Sequence, residues 1–394
     1  MLDRVAVGDI PAKPHTVLRA ASGALRYEEC LTRAGFDGPY SILYHEARPH
    51  ALTACEPQQR AIPTLVPAMA AEPVGHGTPL RRRHYRTREI PQSGELIDAR
   101  FPLLESRDIE LSIANPTRSE SVYFVNADED ELWFVRTGRG VVRSVFGDLP
   151  FGPEDYVCIP KGVLRRVLIE ADTELLLIGC RGGVGLLAQA RNELGQLRMD
   201  APYSHRDFRR PTFVGPLDEG IRDVVIKRLG SHHWYRSLAT PLDVVGWDGT
   251  VYPWAFPILA FRPRVSSVHL PPTWHGTFAA SGALICSFVP RPLDFHPDAI
   301  PCPYPHASVD VDEVLYYVRG QFGSRTGVGV GSVTLHPRGV PHGPHPGRYE
   351  QSLGATHTEE LAVMLDCYAP LTPSARAREL EDPDYDASFV GQAL

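Results

Sequence analysis

Three residues in the last quarter of the chain have the types and spacing of a metal-ligand set. His306 is followed by six residues (ASVDVD) and Glu313. Glu313 opens the apolar run VLYYVR, which ends at Gly320, and the segment GSVTLHPRGVPH runs from Gly331 to His342. Two imidazoles and one carboxylate hold one face of a first-row ion and leave positions open for substrate and oxygen, as non-haem Fe(II) oxygenases require. Glu313 is expected to begin a strand, with His306 on the segment before it. His342 follows the turn Pro337-Arg338-Gly339, which sends the chain back across a barrel. Antiparallel pairing can then bring the three to one interior despite their separation in sequence.

The same pattern occurs once earlier, without the histidines. Glu131, six residues, Gly138 and later Pro160-Lys161-Gly162 repeat the order Glu313, Gly320 and Pro337-Arg338-Gly339. Phe124 stands where His306 would, and Arg165, five residues after Pro160, stands where His342 would. A folding role for the glutamate and glycine would be common to both copies, and both copies have them. The histidines occur only in the second copy and need a separate cause. Metal binding supplies one, so an ion is expected in the second unit and none in the first.

Both copies lie among short apolar or alternating runs. These are ELWFVRTG, VVRSVFG, DYVCIP and ELLLIGC, then GALICSFVP, EVLYYVRG, GSVTLHP and ELAVMLDCY. They have strand length, and the 37 Pro and 34 Gly of the chain punctuate them. An all-β sandwich or barrel class follows. Two copies of one β-unit predict two stacked barrels, with roughly Thr212–Phe261 as the connection and the start of the second. Helical pattern is sparse; LAQARNELGQL (187–197) and SARARELED (374–382) carry the most of it.

Composition narrows the function classes. A length of 394 residues suits two barrels. A formal charge of −7 argues against a general nucleic-acid binder, which must neutralise phosphates with clustered cations. The one basic cluster, Arg81 to Arg83 with Arg86 and Arg88, is short and reads as a solvated or subunit-facing strand edge. The seven cysteines form no CxxC pair and read as reduced thiols. The N-terminus has no apolar signal-peptide core, and no run approaches the roughly 18 apolar residues that span a bilayer. A cytoplasmic location away from membranes is the expectation.

The spacing of both units resembles the two motifs of a bicupin, and the chain resembles the homogentisate 1,2-dioxygenase family, in particular its bacterial homogentisate-dioxygenase-like branch. VHLPPTWHGTF (268–278), CSFVPRPLDFHPDAIPCPYPH (286–306), DEVLYYVRG (312–320) and GSVTLHPRGVPHGPHPG (331–347) carry the resemblance. VGDIPAKPHT, LRRRHYRT (80–87), NADEDELWFV (126–135) and RNELGQL (191–197) support it. It implies an all-β fold of two cupin-type jelly-roll barrels with few short helices. Residues 1–240 would hold a degenerate, metal-free cupin and residues 241–394 the catalytic one. It also implies an Fe(II)-dependent, ring-cleaving dioxygenase that inserts O2 into a 1,4-dihydroxylated aromatic such as homogentisate, in a homo-oligomer. His306, Glu313 and His342 fall on the family's iron ligands. His336 falls on a histidine near the substrate, His269 on the histidine proposed as acid/base, and Tyr304 on a pocket tyrosine. Phe322 replaces a tyrosine whose hydroxyl helps hold the substrate's acidic side chain, and Ala307 replaces a residue that is often polar. Arg319 could supply a cation for a carboxylate. The alternatives are a cupin isomerase or oxygenase for another aromatic, or a non-catalytic ligand-binding bicupin.

The remaining histidines have plainer expectations. His345 reads as a surface turn residue, and His275 either lines the site or caps a strand. His296 and His357 read as structural or solvated. Cys302 reads as packing, and Tyr316 and Tyr317 should divide between the core and a polar neighbour.

Overall fold

The computed structural model describes residues 3–56 and 80–390. Strands dominate, and among the described residues the two α-helices are short, Leu96–Ala99 and Arg348–Ser352. The two segments with helical pattern form only 3-10 turns, Ala188–Ala190 and Arg376–Leu380. The first ends at Arg191, whose extended backbone (φ −120°, ψ 155°) bridges back to Leu197. No helix of the described residues is long and apolar enough to cross a membrane.

Each copy of the repeat builds one β-unit. In the first, Asp130–Ser144 pairs antiparallel with Asp155–Ile159 and with Arg165–Cys180. In the second, Asp312–Arg319 pairs antiparallel with Val333–His336 and with Leu361–Cys367. The correspondence holds residue by residue. Glu131 faces Ile159 and Gly179, as Glu313 faces His336 and Asp366. Arg165 pairs with Phe124, and His342 with His306. The repeated glycines have a common cause. Gly138 and Gly320 have φ of 84° and 93°, and a Cβ there would come within 2.4–2.5 Å of Thr173 and Asp172 or within 2.2 Å of the Glu359 carbonyl.

The Asp312–Arg319 strand is buried on both faces because the two units pack back to back. Val314, Tyr316 and Val318 share one core with Leu132, Phe134, Tyr156 and Leu176 of the first unit. Phe134 and Tyr316 meet edge to face, with centroids 6.3 Å apart. On the opposite face Glu313, Leu315 and Tyr317 look into the second unit, where Leu315, Tyr317, Phe322, Met364 and Cys286 cluster. Tyr317 reaches the Thr334 hydroxyl at 3.4 Å, so the two tyrosines divide as expected.

Sheet membership cuts across residue 241. Val244–Gly249 pairs with strands Val5–Gly8 and Tyr40–His45, and Trp254–Pro257 with Asp155–Ile159. In return, Arg83–Tyr85 and Val184–Leu186 extend the seven-stranded sheet of the second unit. Part of the basic cluster, expected to be a solvated or subunit-facing strand edge, is paired within the chain. Arg81 and Arg83 pair with Glu381, and Arg82 with Asp386, which fixes the C-terminal segment against the second unit. All seven cysteines are free thiols.

Candidate metal centre

The two loops that carry the histidines are clipped to each other and to the glutamate strand. The His306 amide donates to the His342 carbonyl, and the His342 amide donates back to His306, both at 2.8 Å. Asp312, beside Glu313, accepts the Arg338 amide at 2.9 Å and the Leu371 amide at 2.8 Å. This buried aspartate is repeated in the first unit, where Asp130 accepts the Lys161 and Val184 amides at 2.8 and 2.9 Å. The acidic pair thus divides its work. The aspartate ties down the turn, and the glutamate points inward.

His306, Glu313 and His342 each offer one ligand atom, and these atoms lie within 4.8 Å of one another. His306 Nε2 is 3.8 Å from Glu313 Oε2, and His342 Nε2 is 3.5 Å from Glu313 Oε1. These gaps are too long for hydrogen bonds and match donors that sit about 2 Å from a shared ion. The ring nitrogens are sorted for that task. Nδ1 of His306 lies 3.2 Å from the Tyr304 carbonyl and Nδ1 of His342 lies 3.0 Å from the Val340 carbonyl. A carbonyl only accepts, so each Nδ1 carries the proton and each Nε2 keeps a lone pair. His342 is 2% exposed, yet its Nε2 has no hydrogen-bond partner. A buried acceptor aimed at a carboxylate, itself another acceptor, needs a cation between them. The residues therefore fit a metal ion.

The carboxylate is also held from behind. His336, wholly buried, has Nδ1 2.7 Å from Glu313 Oε1 and Nε2 3.2 Å from the Tyr385 hydroxyl. Burial pushes His336 down to about 3, so it is neutral, donates from Nδ1 to Glu313 and accepts from Tyr385. Burial would raise the Glu313 carboxyl, but His306, His336 and His342 outweigh it and hold it well below the usual range. Asp366, cross-strand from Glu313, is raised to about 7 by burial and by the Glu313 charge.

The other expected site residues divide. Tyr304 and His269 stand on the exposed side of His306. Their rings are 5.0 Å apart, and Tyr304 is 6.4 Å from the His306 ring. His336 is brought to the centre, wholly buried between Glu313 and Tyr385. Phe322 packs on Tyr317 with centroids 4.6 Å apart. Arg319 lies apart from the centre, six residues along the strand from Glu313 (roughly 20 Å), and pairs with Glu154 of the first unit. His345 is no surface residue. It is 2% exposed, its Nδ1 accepts the Thr326 amide at 2.8 Å, and its ring meets Phe389 edge-on. His275 is 4% exposed and lies against Phe288. Sequence reasoning missed Asp312, Asp366 and Tyr385. The Asp-Glu pair at the start of both repeat strands was a legible signal for the first; a lone tyrosine 43 positions beyond His342 carried none.

Comparison with known proteins agrees with this assembly. The model of the homogentisate 1,2-dioxygenase N-terminal region matches residues 108–258, the first unit and its exit. A protein of Saccharolobus solfataricus named "Putative dioxygenase" is 32% identical over 97% of both chains. Among solved structures, a cupin 2 conserved barrel domain protein from Leptotrichia buccalis covers 74% of this chain and 98% of its own, at 11% identity and TM-score 0.34. Bacillus subtilis oxalate decarboxylase covers 76% and 80%, at 12% identity and TM-score 0.36. Both TM-scores are low, and the fold rests on the strand pairing described above. Full-length similarity to the archaeal protein and the matched N-terminal region together place the chain in the homogentisate 1,2-dioxygenase-like family of cupin dioxygenases.

Proposed function

We propose that the chain is an Fe(II)-dependent ring-cleaving dioxygenase for a 1,4-dihydroxylated aromatic, with His306, Glu313 and His342 as its iron ligands. The observation that carries this reading is the buried, unpartnered His342 Nε2 facing the Glu313 carboxylate. Two imidazoles and one carboxylate are the donor set of non-haem Fe(II) oxygenases. Bound Fe(II) supplies the electrons and Lewis acidity with which O2 attacks an electron-rich ring.

The protein's own groups do the rest. His336 and Tyr385 fix the Glu313 carboxylate from its buried side. His269 sits beside Tyr304 on the exposed side of His306, and partial desolvation lowers its pKa below the ordinary histidine value. It is therefore neutral at pH 7 and can accept the phenolic proton of a bound hydroquinone at a ring nitrogen. The Tyr304 ring gives the substrate ring an aromatic wall.

The test is anaerobic reconstitution with Fe(II), followed by oxygen-electrode assays on homogentisate, gentisate and hydroquinone. Oxygen uptake with at least one of them, and none without Fe(II), is expected. No uptake with any of the three would overturn the reading.

A further inference from the structure

One surface segment supports two of the three metal ligands. Residues 381–390 lie against Arg83–Tyr85, the edge strand of the second unit's sheet. Glu381 bridges to Tyr85, and the Asp382 amide donates to the His84 carbonyl at 2.8 Å. From this segment the Tyr385 hydroxyl donates to His336 Nε2 at 3.2 Å, and His336 in turn holds Glu313. The Phe389 ring meets two guanidinium groups, with Arg82 Cζ 4.2 Å and Arg325 Cζ 5.8 Å from its centroid. Those two groups flank His342. Arg82 Nη1 donates to the Pro341 carbonyl at 3.4 Å, and Arg325 Nη1 donates to the Gly343 carbonyl. One short stretch, Tyr385 to Phe389, thus stands behind both Glu313 and His342. The loop it supports has no slack on its other side, because a Cβ at Gly343 would come within 2.7 Å of Pro305, the neighbour of His306.

The segment itself is lightly held. Tyr385 alone among residues 381–390 is buried. The clasp is Arg82, whose Nε and amide both donate to Asp386 Oδ1, at 2.7 and 3.0 Å. Asp386 keeps 37% of its side chain exposed. A segment with so little buried surface of its own docks with a small free energy. A modest difference in affinity between its docked and released states is then enough to shift it.

We propose that residues 381–390 form a strap whose docking is coupled to the metal centre, with Arg82 and Phe389 as positioning residues for His342 and Tyr385 for Glu313. This rests on the ligand set read above and deepens it. Docked, the strap sets the spacing between His342 Nε2 and Glu313 Oε1, which is 3.5 Å. A bound ion needs that spacing and therefore holds the strap down in return, since coupling between two sites is reciprocal. The contact of Arg82 with Asp386 thereby governs metal retention from outside the ligand set.

The experiment uses the full chain, metal-free and Zn(II)-loaded. Hydrogen exchange of residues 381–390 is followed in both states, with the Arg165–Cys180 strand of the first unit as reference. Zinc should slow exchange of the strap about tenfold and leave the reference unchanged. Asp386→Ala and Arg82→Gln should weaken Zn(II) binding about five- to tenfold in competition with a chelating indicator, and Arg82→Lys should restore part of the loss. Each loss should also narrow the gap between the melting temperatures of loaded and metal-free protein. A merely structural contact would lower both temperatures equally and leave the gap. Equal exchange of the strap with and without zinc, or undiminished affinity in Asp386→Ala and Arg82→Gln with the reference strand intact, would overturn the strap. If the wild type holds no Zn(II), the metal reading itself fails, and the strap falls with it.

Discussion

In the first unit Glu131 meets guanidinium groups; at the same place in the second, Glu313 meets imidazoles. Arg165, 1% exposed, reaches Glu131 at 3.4 Å and Glu120 at 2.5 and 2.7 Å. Its guanidinium lies over Phe124, the residue in the His306 position, 4.6 Å from the ring centroid. Arg100 pairs with Glu131 as well, and Asn126 donates to it at 3.0 Å. Nearby, Lys227 bridges Glu110 and Glu129, each at 2.9 Å. Every acceptor of Glu131 is thus met by a side chain of the protein. In the second unit Glu313 makes no ion pair with a lysine or arginine among the described residues, and a buried imidazole nitrogen is left over. One backbone geometry, with matching glycines, turns and an aspartate clip, supports a closed ionic core in one copy and an open donor set in the other. Glutamate on this strand is therefore a feature of the unit. Only the residues in the two histidine positions decide whether an ion is needed.

The comparison can be broken at its strongest point by removing the guanidinium. Arg165→Ala should lower unfolding free energy by about 3–5 kcal/mol, because Glu120 and Glu131 lose a buried partner. It should leave the metal content of the chain unchanged. Denaturant titration with metal analysis checks both, and metal loss in folded protein would show that the two units are not independent in this respect.

Acid separates the units more gently. Burial would raise Glu131, but Arg100 and Arg165 outweigh it and bring it down to about 2. A carboxylate depressed in the folded state contributes stability that is full above its ordinary value near 4.5 and is lost as pH falls towards about 2. Glu131→Gln should therefore be less stable than the wild type at pH 6, and the two stability curves should converge as pH falls from about 4.5 to 2. Parallel curves through that range would mean that the guanidinium pairing contributes nothing.

The second unit is sharpened by its hydrogen-bonded support. Tyr385→Phe removes the hydroxyl that donates to His336 Nε2 and so loosens the Glu313 carboxylate. About a tenfold loss of metal affinity is expected, the scale of such supporting bonds. Competition with a chelating indicator reads it without any turnover. Unchanged affinity would leave Tyr385 with a packing role alone.

The repeat made much of this legible in the sequence. Its spacing located the glutamates, the turns and the histidine positions in both units, and the strand register aligns them as the spacing implied. What escaped depended on three-dimensional position rather than local pattern. Arg319 is near Glu313 in sequence, but a strand carries six residues far from the site, and its guanidinium pairs with Glu154 of the first unit. The exchange of Arg83–Tyr85 and Val244–Gly249 between sheets of different units is a long-range pairing with no local signature. The helical patterns at 187–197 and 374–382 gave only 3-10 turns, which end in extended backbone at Arg191 and Glu381; so short a run does not repay the cost of nucleating a helix.

Metal stoichiometry tests the central claim most directly. The chain, reconstituted with Fe(II) under anaerobic conditions and freed of excess, should hold one ion; His342→Ala should hold none while keeping its fold, and Arg165→Ala should still hold one. Full iron content in His342→Ala, or a second ion lost on changing Glu131, would contradict the account.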